Sequence, residues 1–94
     1  MFRHLVMFKF KTLEDAKKAK ELLGELPAKI DVVRTMELGI DELRRDHSFD
    51  LAIVSTFDSK EDYIIYDNHP EHDKVRKLIA SEKTGNHNID YYID

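Results

Sequence analysis

The sequence predicts an α+β fold in which a four-stranded antiparallel sheet carries helices on one face. Three observations predict it. Apolar residues alternate with a period of two over residues 2–10, 30–40, 49–57 and 88–93, the mark of strands. The stretches between them turn to helical spacing, twice behind a Ser/Thr-x-x-Asp capping pattern, Thr12 with Asp15 and Ser59 with Asp62. The resulting order, strand, helix, strand, strand, helix pair, strand, is that of the split βαβ, or ferredoxin-like, unit (βαββαβ).

In the first strand, residues 2–10, Phe2, His4, Val6, Phe8 and Phe10 share one face and Arg3, Leu5, Met7 and Lys9 the other. Thr12 then caps a helix in which Ala16, Ala19, Leu22, Leu23 and Leu26 fall on the inner stripe, with Lys17, Lys18, Lys20 and Glu21 outward. Gly24 and Pro27 close it. A second strand is expected over residues 30–40, with Ile30, Val32, Met36 and Leu38 on a face that Arg34 interrupts. Gly39 to Ser48 is a charged loop expected in solvent. A third strand, residues 49–57, turns Phe49, Leu51, Ile53 and Phe57 one way and Ala52 and Val54 the other.

Ser59 launches a short helix carrying Tyr63, Ile64 and Tyr66. Pro70 suits the first position of the next helix, where a missing N–H costs nothing. His69, before it, is biased toward extended backbone and is expected to cap or fix the turn. Within this helix His72, Val75 and Ile79 recur at i, i+3 and i+7, so His72 points inward beside two apolar residues. The helix ends near Ala80 to Lys83, Thr84-Gly85-Asn86 reads as a turn, and Ile89, Tyr91 and Ile93 share one face of a last strand over residues 88–93.

Ninety-four residues suit one domain, residues 1–94, and 41% hydrophobic with 36% charged residues describes a globular chain. With no cysteine there is no disulfide, thiolate metal site or cysteine nucleophile, which suits a reducing, cytoplasmic setting. The first ten residues are too short and too interrupted by charge for a signal peptide or a membrane span. A net charge of −4 without a basic run points away from nucleic acid. Strands one and three are apolar at their centres on both faces (Leu5 and Met7; Ala52 and Val54), and two helices cover only one. An uncovered apolar sheet face predicts a homodimer, packed sheet to sheet.

Three stretches carry a family resemblance: Arg3 to Lys11 in the first strand, Phe49 to Ser59 in the third strand and helix start, and the Tyr-x-x-His-Pro-x-His run from Tyr66 through His69, Pro70 and His72. Together they resemble the stress-responsive A/B barrel (Dabb) domain over nearly the whole chain. The resemblance implies two ferredoxin-like subunits closing into a dimeric α+β barrel. It also implies, from plant members that are polyketide cyclases, an aldol-type ring closure by a Tyr and a His at the positions of Tyr66 and His72, with a first-strand His at His4. Those cyclases carry another His on the third strand, where this chain has Leu51.

His4, Tyr66 and His72 are therefore the candidate catalytic residues. Imidazole moves protons near neutral pH, and a tyrosine hydroxyl polarises a carbonyl as an oxyanion-hole donor does. The set suits proton abstraction next to a carbonyl. Two interpretations stay open: a small-molecule pocket with lyase- or cyclase-type chemistry on a carbonyl, polyketide-like compound, or a non-catalytic, stress-related or interaction protein whose histidines serve packing. Asp67, His69, His72 and Asp73 are metal-ligand types, but their directions need not converge, and no metal or cofactor is assigned. His47 and His87 are expected in loops, and Arg34 is expected to pair with an acid or lie near a sheet edge. There is no Gly-rich phosphate loop, no G-x-S-x-G and no H-E-x-x-H.

Overall fold

The computed structural model describes residues 1–93, and Asp94, the end of the expected domain, lies outside them. The elements are β1 (Phe2–Phe10), α1 (Leu13–Gly24), a 3-10 turn (Leu26–Ala28), β2 (Thr35–Ile40), β3 (Leu51–Phe57), α2 (Lys60–Asp67), α3 (Pro70–Ile79) and β4 (Lys83–Tyr92). The four strands form one antiparallel sheet in the order β2-β3-β1-β4, the ferredoxin-like arrangement. The core lies between the sheet and the helices. Phe2, Val6 and Phe10 from β1 and Leu51, Ile53 and Phe57 from β3 meet Ala16, Ala19 and Leu23 of α1 and Val75 and Ile79 of α3.

The helix starts follow the sequence. Thr12 Oγ1 accepts the Asp15 N–H at 3.1 Å, and Ser59 Oγ accepts that of Asp62 at 3.2 Å. His69 is the N-cap of α3, its Nδ1 accepting the Glu71 N–H at 3.1 Å, with Pro70 next in the helix.

Three strands differ from expectation in extent. β2 begins at Thr35 rather than residue 30: the Arg34 N–H still bonds to the Thr56 carbonyl, but β3 ends at Phe57 and offers nothing to pair with residues 30–33. The chain turns there instead, and Ile30 and Val33 enter the core from the turns. β3 begins at Leu51, and Phe49 does not share the face of Leu51: its ring lies 5.2 Å from that of His87 and beneath Lys9, on the opposite side of the sheet. β4 begins at Lys83, so the expected turn at Thr84-Gly85-Asn86 is strand, and His87 is a strand residue rather than a loop residue. Its partner decides this: β1 runs on to Phe10, and Phe8, Lys9 and Phe10 pair with Asn86, Gly85 and Lys83 through a bulge. Gly39 likewise belongs to β2 and not to the following loop.

Asp50 anchors that loop. It is 3% exposed, and its carboxylate accepts the Phe10 N–H at 2.8 Å and an Arg44 N–H at 2.7 Å. Burial opposes its charge, but those two donors prevail and hold the carboxyl below its ordinary range. A depressed carboxyl stabilises the fold above its unfolded pKa, and the stabilisation is lost as pH falls through the folded value. Asp50→Ala is expected to cost about 1–3 kcal/mol in urea denaturation at pH 7, from the orphaned Phe10 N–H. The gap to the natural protein should shrink below about pH 4; a gap independent of pH would refute the assignment.

Candidate functional site

The segment joining α2 to α3 brings Tyr66 and His72 together. Tyr66 sits one residue before the end of α2 and His72 in the first turn of α3. The short connection through Asn68 and His69 stacks their rings, with centroids 4.5 Å apart and planes 22° from parallel. Tyr66 is 2% exposed and also packs on Phe57. His72 Nδ1 lies 3.2 Å from the Asp67 carbonyl oxygen.

His4 comes from the sheet. The alternation of β1 puts it on the helix-covered face, in line with Phe2 and Val6. Its Nδ1 is bonded to Asp90 Oδ1, its register partner on β4, while Asn88 donates to Asp90 Oδ2 at 3.1 Å. The Tyr63 ring stands 4.7 Å from that of His4.

His4, Tyr66 and His72 line one cavity of about 200 Å³, together with Tyr63, Asp67, Asn86, Asn88 and Lys83 on an apolar floor of Val6, Phe8, Leu23 and Ile53. Burial shifts Tyr63, Tyr66 and His72 toward their neutral forms. Desolvation, with Asp67 and Asp90 nearby, pushes the Tyr63 hydroxyl up to about 12, and desolvation pushes that of Tyr66 higher still. For His72, burial and then the Arg76 cation lower the pKa, while the Asp67 carbonyl pulls it partly back. Leu51, where the resemblance led to a histidine in the cyclases, is 1% exposed in the core and does not line the cavity.

The remaining candidates lie elsewhere. His69 serves as a helix cap. Among the described residues no group of three or more His, Asp or Glu converges as a metal site would require. His47 is exposed in a turn, and His87 is exposed on the open sheet face. Arg34 grips Asp58 with two bonds of 3.0 and 2.8 Å, so its guanidinium is already occupied by an acid. Sequence reasoning missed Asp90, Asn88 and Asn86. The signal was present in β4, where these polar residues alternate with Ile89 and Tyr91, reversing the pattern of a strand whose inner face joins an apolar core.

A sequence profile described as Stress responsive A/B Barrel Domain (Dabb) matches residues 2–93. The chain belongs to the Dabb family. It is 38% identical over 76 residues to stress-response A/B barrel domain-containing protein At5g22580 of Arabidopsis thaliana, covering 76% of this chain and 67% of that relative. A dimeric protein of unknown function with a ferredoxin-like fold from Bacteroides fragilis superposes with a TM-score of 0.88 at 31% identity, covering 98% of this chain and 95% of that one. A hydroxynitrile lyase from Passiflora edulis superposes with a TM-score of 0.84 at 20% identity, covering 99% and 93%, a likeness of fold alone.

Titration of this Dabb domain should reveal the part-buried imidazole. The His72 ring, followed by NMR against pH, is expected to protonate with a midpoint below 6.5. A histidine pKa lowered by folding means that the unfolded chain binds the proton more tightly, so its contribution is full above about pH 6.5 and is lost as pH falls toward the folded value. A midpoint above 6.5 would contradict a desolvated, neutral ring.

Proposed function

We propose that the cavity binds a small carbonyl compound and moves a proton next to the carbonyl, in lyase- or cyclase-type chemistry on a polyketide-like or related substrate. Tyr66 donates its hydrogen bond to the carbonyl oxygen, His72 takes the neighbouring proton, and His4 supports either. The observation carrying this proposal is that side chains from β1, α2 and α3 converge on one cavity. A phenol kept protonated by burial is a donor to a developing enolate oxygen. An imidazole kept neutral is a base at pH 7.

We propose further that two copies pair through the open sheet face. Met7 is 37% exposed there, and Ile89 59% and Tyr91 37%. Met7, His87, Ile89 and Tyr91 belong to one side of the paired strands β1 and β4, opposite the helices. The Bacteroides fragilis relative of the same fold is described as dimeric. Burying this face removes apolar area from water at roughly 25 cal/mol per Å².

Native mass spectrometry should therefore find a dimer in the natural protein and a monomer in Met7→Lys. A monomeric natural protein, or an unaltered Met7→Lys dimer, would remove this face as the interface. For the chemistry, exchange of the methyl protons of acetophenone in D2O, followed by NMR, is expected to be faster with the protein present. His72→Ala should lower that acceleration by about 10²-fold or more, and Tyr66→Phe by a comparable factor. No acceleration by a folded dimer, or equal acceleration by both variants, would return the histidines to a packing role.

A further inference from the structure

Arg76 Nη2 carries two hydrogens and stands within bonding distance of three acceptors. They are the Asp67 carbonyl oxygen at 2.9 Å, Asp67 Oδ1 at 3.1 Å and His72 Nδ1 at 3.2 Å. Two hydrogens cannot give each of the three an unshared bond. His72 Nδ1 also lies 3.2 Å from the Asp67 carbonyl oxygen, which only accepts. Asp73 stands 3.9 Å from Arg76 Nη1, so it does not compete for Nη2.

Two hydrogen assignments exist, and they differ in the tautomer of His72. In the first, both Nη2 hydrogens go to Asp67, one to the carbonyl and one to the carboxylate. His72 Nδ1 then carries its own hydrogen and donates it to the same carbonyl, whose two lone pairs serve Arg76 and His72 together. Every group is satisfied. In the second, Nη2 donates to Nδ1, the ring hydrogen moves to Nε2, and the lone pairs of Nδ1 and the carbonyl face each other. One of the bonds from Arg76 to Asp67 is also lost. A bond between two ions is stronger than one from an ion to a neutral ring, so the first assignment prevails.

We infer that the Asp67 carboxylate, by occupying the second hydrogen of Arg76 Nη2, fixes His72 as the Nδ1–H tautomer and leaves its basic lone pair on Nε2. Asp67 is thus a positioning residue that acts through Arg76. The use of that lone pair rests on the role proposed above for His72, whereas the tautomer is a property of the folded protein with or without substrate. The device links α2, which ends at Asp67, to α3, which carries His72 and Arg76 one turn apart.

Long-range proton–nitrogen NMR of the His72 ring, well above its pKa, reads the tautomer directly. The natural protein is expected to show a protonated Nδ1 and an unprotonated Nε2. Asp67→Ala frees an Arg76 hydrogen to enter Nδ1, so the Nε2–H form should become the major one. Adding Arg76→Met removes the intruding donor while the residue 67 carbonyl stays, so the double variant should return to Nδ1–H. Arg76→Met alone should leave the natural tautomer in place. If Asp67→Ala does not fold, Asp67→Asn, which keeps an acceptor oxygen but no charge, should show more Nε2–H than the natural protein. A natural protein with Nε2–H, or a tautomer indifferent to residue 67, overturns the inference. Acetophenone exchange separates the two claims: a tautomer that responds as stated, with no exchange in any variant, keeps the device and removes the catalytic role of His72.

Discussion

The pairing of β1 with β3 on one side and β4 on the other is the constraint on which the rest depends. A central strand paired along nearly its whole length cannot slip by one residue without turning its entire apolar row to the other face. Phe2, Val6 and Phe10 hold that register by burial, each being 5–6% exposed. His4 lies in the same row and is carried to the same side. The helices α2 and α3 lie over that side, so the ring opens into a gap between sheet and helices instead of solvent.

Two polar centres line this gap, and their environments differ. His4 has an anion for a partner, in Asp90, which is steadied in turn by Asn88. Tyr66 is buried and His72 part-buried where their rings stack, and desolvation drives both toward the uncharged form. The ionic groups near His72, Arg76 and Asp67, stand at the end of α2 and along α3, where each is half-exposed and engaged with the other.

The opposite side of the sheet follows a different rule. β4 turns Asn86, Asn88 and Asp90 toward the helices and Ile89 and Tyr91 away from them. For an isolated subunit this is inside out. It becomes consistent when the inner side borders a polar cavity and the outer side meets another sheet. One inverted strand thus bears on both the cavity and the face proposed for pairing.

Much of the fold was written locally. Period-two alternation in β1, the Thr12 and Ser59 caps, and Pro70 behind His69 each act within a few residues, so their consequences are readable from the chain. So was the nearness of Tyr66 and His72, which a single tight connection enforces. What depends on distant partners was not readable. Residues 30–33 look extended but lack a strand opposite, and Thr84 to Asn86 look like a turn but find one in β1. Phe49 alternates with Leu51 in sequence, yet packs on the far side of the sheet with Lys9 and His87. The acid that meets His4 is 86 residues away, and which acid it is depends on the β1–β4 register alone. The sequence by itself determined which faces are apolar, where the helices start and which residue types are available for proton transfer, because these follow from backbone geometry over one or two turns. Only the tertiary structure decided which polar groups share a cavity and which are neutral in it, because both depend on long-range pairing and on the exclusion of water.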